Sequence, residues 1–176
     1  MTYYEFFELP PNLSIDLKDL EKRFYTLSRK WHPDMFARKS EAEKQQSLDA
    51  TALLNDGYRV LKDPIQRSLY LLKLEGFDIG EQGTKDVPPE LLEEVFELNM
   101  AIEELKDGDE SVRPQLEAAE KKFEGMRSDI DRELETRFAA WDSSRDRNVL
   151  NEIRRLLNRR KYITNLINQT HVPDRI

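Results

Sequence analysis

The chain of 176 residues contains no cysteine. That excludes disulfides, thiol nucleophiles and cysteine-ligated zinc or iron–sulfur centres built from these residues. Histidine is nearly as scarce, with only His32 and His171. There is no glycine-rich loop of the kind that cradles phosphates, and the carboxylates are dispersed rather than paired. Neither an enzyme nor a bound cofactor or metal is expected. No apolar run approaches the roughly 18 residues that a membrane span needs. Met1-Thr2-Tyr3-Tyr4-Glu5 lacks the basic and apolar regions of a signal peptide, so a cytoplasmic protein is the expectation.

What is abundant is charge. Charged residues make up 36% and aromatics only 9%, a balance that suits long solvated helices better than sheets. The net charge of −7 falls entirely beyond Glu75, since the chain up to that point carries as many cations as acids. Residues 78–110 are strongly acidic, while 145–161 are rich in arginine. Such segregation argues for two units with different partners. Nucleic acid is not expected among them, because the arginine-rich stretch lies in an acidic half and can pair with it.

The organising stretch is Trp31-His32-Pro33-Asp34 with the helix before it. Leu17, Leu20, Phe24, Leu27 and Trp31 recur every three or four residues, the rhythm of one buried helical face. Lys18, Lys22 and Arg29 fall together on the opposite face, flanked by Arg23 and Lys30. Pro33 stops the pattern, because it lacks an N–H and disfavours helix at the residue before it. A basic amphipathic helix therefore delivers His-Pro-Asp into a corner.

Around it the chain spells helices. Tyr3 to Leu9 suggests a short one, ended by Pro10-Pro11. Asp16 is a candidate N-cap, and Ser40-Glu41-Ala42-Glu43 has the form of a capping box opening a helix to about Lys62. Asp63-Pro64 reads as N-cap and first position of another, which Gly76 would end. Residues 77–87 read as a linker. Three further stripes follow, the first on Leu91, Val95, Leu98, Ile102 and Leu105, and the last on Val149, Ile153, Leu156, Ile163 and Ile167. Joined by short loops, they predict an antiparallel three-helix bundle over 88–171, with 172–176 a tail. The expected fold is all-α.

The first bundle helix carries more than a core stripe. Its core positions lie within about 40° on either side of Leu91, at about 100° per residue. Leu92, Phe96 and Met100 fall a quarter to a half turn away from that stripe, and Glu93, Glu97 and Glu104 lie just beyond them. This apolar ridge with an acidic edge either fills the bundle or docks a partner.

These features together resemble a known family. Residues 1–76, with a helical hairpin bent at His32-Pro33-Asp34, resemble the J domain, by which DnaJ-like co-chaperones stimulate the ATPase of DnaK-type chaperones. More narrowly, the chain resembles the HscB-type J proteins of iron–sulfur cluster assembly. The likeness rests on His32-Pro33-Asp34-Met35-Phe36, Leu54-Asn55, Tyr58, Leu61, Asp63-Pro64 with Arg67, and above all Tyr70-Leu71-Leu72-Lys73-Leu74-Glu75-Gly76-Phe77. It implies that His32, Pro33, Asp34, Lys18, Lys22, Arg23, Arg29 and Lys30 meet a DnaK/HscA-type chaperone. It also implies that Leu92, Phe96, Glu97, Met100, Glu104 and Tyr162 meet an IscU-type scaffold protein. Tyr162 lies off its helix's expected core stripe, consistent with that role. Glu93 and Met100 depart from residues some members carry, so the ridge is shaped differently here. Two other readings remain at this stage: a J protein whose bundle serves another client or forms a weak homo-oligomer, and a helical adaptor with a chance His-Pro-Asp.

Overall fold

The computed structural model describes residues 1–78 and 88–171. Most of the expected linker and the whole of 172–176 lie outside the described residues. Among the described residues there are seven α-helices and no strand. The chain divides into two compact units, Met1–Asp78 with Phe138–Asp146, and Ile79–Arg137 with Arg147–Ile176.

The first unit is built on α1 (Tyr3–Phe6), α2 (Leu17–Trp31), α3 (Glu41–Lys62) and α4 (Pro64–Leu74). Helix α1 is shorter than the sequence suggests, because Glu8 takes a left-handed backbone with φ of 55°. The capping box forms at Thr2 and Glu5, where each side chain accepts the other's backbone N–H. At Ser40 only half of the expected box is made: the serine accepts from Glu43 N–H, and no return bond closes it. Asp16 and Asp63 each accept two N–H groups at the start of α2 and α4, as their positions predict. Gly76, at φ 82°, closes α4, with its N–H to the Lys73 carbonyl and Phe77 N–H to that of Leu72.

Leu20, Leu54, Leu61, Leu71 and Leu72 are fully buried with Tyr4, Phe7 and Leu13. Leu17, expected on the buried face of α2, is exposed, since it occupies the first helical position where the frayed turn meets solvent. Gly57 lets α1 lie close on α3: a Cβ there would stand 3.0 Å from Phe7 Cε2 and 3.1 Å from Tyr3 Cδ1. Arg67 is buried, its Nε donating to the Leu13 carbonyl at 2.7 Å and its Nη1 to that of Leu61 at 2.6 Å. Burial holds its pKa below the usual arginine value. The segment 11–14 is gripped from another side as well. Asp142 accepts from Leu13 and Ser14 N–H, and Arg145 donates to the Pro11 carbonyl.

The second unit contains α5 (Leu92–Lys106), most of α6 (Arg113–Ser144) and α7 (Arg147–Thr170). The pairs Arg137–Glu152, Asp131–Arg160, Arg127–Thr164 and Glu120–His171 show α6 and α7 antiparallel, one number rising as the other falls. Glu94–Lys122 ties α5 to α6, and Glu90–Arg159 ties the turn before α5 to α7. The arginine-rich stretch therefore finds acids within its own half. Leu98, Leu116, Phe123, Ile130, Leu134, Ile153, Leu157 and Ile163 form the core.

Candidate functional site

The His-Pro-Asp corner is held from behind. The carbonyl of Trp31 ends α2 without a helical partner. Ser47 Oγ, on α3 and almost fully buried, donates to it at 2.7 Å, while the one proton of the Thr51 hydroxyl is shared between it at 3.3 Å and the Ser47 carbonyl at 2.8 Å. Trp31 also stacks on Phe36, with rings 5.9 Å apart and 8° from parallel. Residues Pro33–Phe36 form a single tight 3₁₀ turn rather than an open loop, with Met35 N–H bonded to the His32 carbonyl. Within that turn Asp34 N–H donates to His32 Nδ1 at 3.2 Å. An accepting Nδ1 leaves the ring proton on Nε2, directed away from the turn. The corner thus offers an imidazole donor and the exposed Asp34 carboxylate to solvent, on a backbone held by the Ser47 hydroxyl and by the Met35–His32 bond.

The cations behind this corner differ in freedom. Lys18, Lys22, Arg29 and Lys30 are exposed. Lys30 Nζ lies 5.4 Å from the Trp31 ring centroid, a cation–π distance. Arg23 is committed elsewhere. Its Nε donates to Asp19 at 2.8 Å, and Nη1 to the carbonyls of Phe7 and Glu8 at 3.0 and 3.2 Å. It ties the end of α1 to α2, a role that spacing on α2 alone does not reveal.

On α5 the helical-wheel reading resolves in favour of exposure. Leu92 is 56% exposed, Phe96 65% and Met100 50%, while Leu91, Leu98 and Ala101 are buried. Glu93, Glu97 and Glu104 are also exposed, so the ridge has its acidic edge. Tyr162 corrects the expectation: it is only 8% exposed. Helix α7 packs on two neighbours, so its buried face widens to include Leu150, Leu157, Tyr162 and Leu166 beside the predicted stripe. Burial raises the Tyr162 phenol pKa. Among the described residues no cluster of His, Asp or Glu could hold a metal ion.

Two family matches cover these surfaces. Residues 2–70 match the DnaJ domain, and residues 87–171 the HSCB C-terminal oligomerisation domain. A co-chaperone protein HscB homolog of Vibrio vulnificus is 36% identical, over 99% of this chain and 97% of its own. That of Shewanella loihica is 32% identical, over 94% and 93%. The chain belongs to the HscB family of J-domain co-chaperones. Its fold agrees with the chaperone HscB from Vibrio cholerae, at 28% identity and a TM-score of 0.65 over 97% of this chain and 95% of that one. Human co-chaperone protein HscB matches at 26% identity and a TM-score of 0.64, covering 97% of this chain and 80% of the human one. Like other HscB proteins the chain is a co-chaperone and not an enzyme, and a J domain implies an Hsp70-type partner. No described helix is long and apolar enough to cross a membrane.

Proposed function

We propose that the first unit engages a DnaK/HscA-type ATPase through His32, Pro33 and Asp34, with Lys18, Lys22, Arg29 and Lys30 supplying the electrostatic approach. Arg23 supports this face by fixing α1 rather than by contact. The second unit holds an IscU-type scaffold on Leu92, Phe96 and Met100, with Glu97 and Glu104 at the edge, in the cytoplasm. Tyr162 contributes by supporting the bundle. The chain performs no bond chemistry. It presents the client and shifts the chaperone towards its hydrolysing conformation, which requires differential affinity for the chaperone's states.

The observation that carries this reading is the exposed ridge on α5. Three large apolar side chains at helical spacing stand in solvent on a helix whose core positions are already filled. The test is single-turnover ATP hydrolysis by the chaperone, with and without scaffold, for the wild type and His32→Gln. Stimulation by the wild type and its loss in the folded variant is the expected result. Undiminished stimulation by His32→Gln would sink the J-face assignment.

A second use of the same ridge is favoured by the family description of residues 87–171 as an oligomerisation domain. Self-association would bury Leu92, Phe96 and Met100 against a second copy. Sedimentation across a hundredfold range of concentration, with and without scaffold, separates the two. Dimers that scaffold does not dissociate would favour self-association.

A further inference from the structure

Glu94 keeps one carboxylate oxygen without a donor. Its Oε1 pairs with Lys122 across α5 and α6, while its Oε2 is buried and accepts no hydrogen bond. A buried acceptor in that state has lost its water and gained nothing in exchange, so native structures hold few of them. Glu94 lines a groove of about 120 Å³ between α5 and α6. The floor is apolar: Leu98 and Phe123 are buried, and Ala119 is half-buried. Glu97, one helical turn beyond Glu94, and Gln115 on α6 are its exposed lining residues beside Lys122. The volume is far below the roughly 300–1,000 Å³ of a small-molecule site, and it has room for one side chain.

The charges around the groove do not balance. Glu94 and Glu97 bring two carboxylates, and Lys122 brings one cation. Among the described residues Glu97 makes no ion pair. Lys122 is the loose member, since its side chain is 54% exposed and Glu94 is its one partner among the described residues. Such a site is complementary to a second cation on an aliphatic stem. The head would meet Glu94 Oε2 and Glu97, and the methylenes would lie on Leu98, Ala119 and Phe123. The groove is also distinct from the apolar ridge. At about 100° per residue, Glu94 lies about 160° round α5 from Phe96, with Glu97 between them.

We propose that this α5–α6 groove takes one arginine or lysine side chain of the scaffold client, and that Lys122 holds its place until the client arrives. The proposal rests on the scaffold reading above and adds a contact that the ridge does not make. Oε2 is shut from solvent while the pair is closed, so the incoming cation reaches it only as Lys122 turns outwards. Glu94 is then the acceptor for the client, and Lys122 is the client's competitor. The ridge selects for apolar area, and the groove selects for a basic residue at one position.

The test sets the two members of one ion pair against each other. Glu94→Gln and Lys122→Met are titrated with the scaffold, beside the wild type and Phe96→Ala. A pair that only braces α5 on α6 gives both variants the same sign, since either change breaks the same tie. The proposal gives them opposite signs. Glu94→Gln should bind about tenfold or more weakly, for the loss of a charge-assisted bond. Lys122→Met should bind about threefold more tightly, on the scale of one exposed charge pair. If the wild type binds, Phe96→Ala weakens it, and the two groove variants match the wild type or move together, the groove proposal is overturned while the ridge reading stands. If Phe96→Ala binds normally and the groove variants part in the expected directions, the ridge reading fails and the groove stands. A wild type that does not bind scaffold overturns both. If Glu94→Gln misfolds, a photocrosslinker placed at exposed Gln115 gives the second measurement. Capture of a scaffold peptide with Arg or Lys at the crosslinked position supports the proposal. Capture of a second copy of this chain, or of no scaffold peptide, overturns it.

Discussion

The carboxylate of Asp142 accepts the backbone N–H of Leu13 at 2.7 Å, a contact spanning 129 positions of sequence. Its second oxygen accepts Ser14 N–H at 2.9 Å. Leu13 is fully buried, and its own carbonyl is taken by Arg67. Both backbone polar groups of one core residue are thus satisfied by charged side chains, one from α4 and one from α6.

Removing that carboxylate leaves the Leu13 donor without its partner. A hydrogen bond to a charged group contributes about 1.5–3 kcal/mol, and the more exposed Ser14 bond adds little. Asp142→Ala should therefore destabilise the first unit by about 1.5–3 kcal/mol. Asp142→Asn keeps one acceptor and should cost less. Urea denaturation followed by tryptophan fluorescence checks this, since buried Trp141 is the neighbouring residue.

Tyr4 makes stability depend on alkaline pH. Its hydroxyl donates to the Asn12 carbonyl at 2.9 Å, and burial pushes the phenol far above its ordinary value. Below about pH 10 the phenol is neutral in both folded and unfolded chains, and its contribution is complete. Above that pH the unfolded chain ionises first, so stability falls as pH rises. Tyr70, also raised by burial, acts in the same direction. Urea midpoints should drop between about pH 9 and 11, and Tyr4→Phe should flatten that slope. An equal slope in Tyr4→Phe would assign the effect to other groups.

Ser47→Ala tests what holds the His-Pro-Asp corner. Losing the buried bond to the Trp31 carbonyl costs about 0.5–1.5 kcal/mol. Alanine's better helix propensity returns roughly 0.5 kcal/mol of it. Global stability should therefore change little. The chaperone concentration dependence of ATPase stimulation should shift more, because the Thr51 hydroxyl, whose single proton sits closer to the Ser47 carbonyl at 2.8 Å, is the remaining partner of the Trp31 carbonyl at 3.3 Å. Unchanged stimulation kinetics would show that the 3₁₀ turn is self-sufficient.

What the sequence revealed was local. Asp16, Asp63 and Gly76 act within a turn of their own position, and each does what its spacing predicts. The ridge on α5 was legible because its core positions are narrow enough to leave three apolar residues over. The failures were long-range. Nothing near Arg67 or Asp142 announces that they grip residue 13, and nothing near Arg23 announces Phe7 and Glu8. Tyr162 was misplaced for a related reason: a stripe read from one helix assumes one neighbour, and α7 has two.

That contrast makes the proposed client surface separable from the bundle core. Phe96 is 65% exposed and Tyr162 8%, yet both resemble scaffold-contacting positions by sequence. Truncating a buried aromatic costs about 3–5 kcal/mol, so Tyr162→Ala should lower the melting temperature of the second unit markedly. Leu92→Ala, Phe96→Ala and Met100→Ala should leave it nearly unchanged, because surface truncations fall within about 0.5 kcal/mol. In titration against the scaffold the order should invert. Ridge truncations should each cost about 1–4 kcal/mol of binding if they form a hot spot. Tyr162→Phe keeps the ring packed and should bind normally. Lowered melts with unchanged affinity in the ridge variants would make the ridge part of the core. A loss of affinity in well-folded Tyr162→Phe would return the phenol to the contact surface.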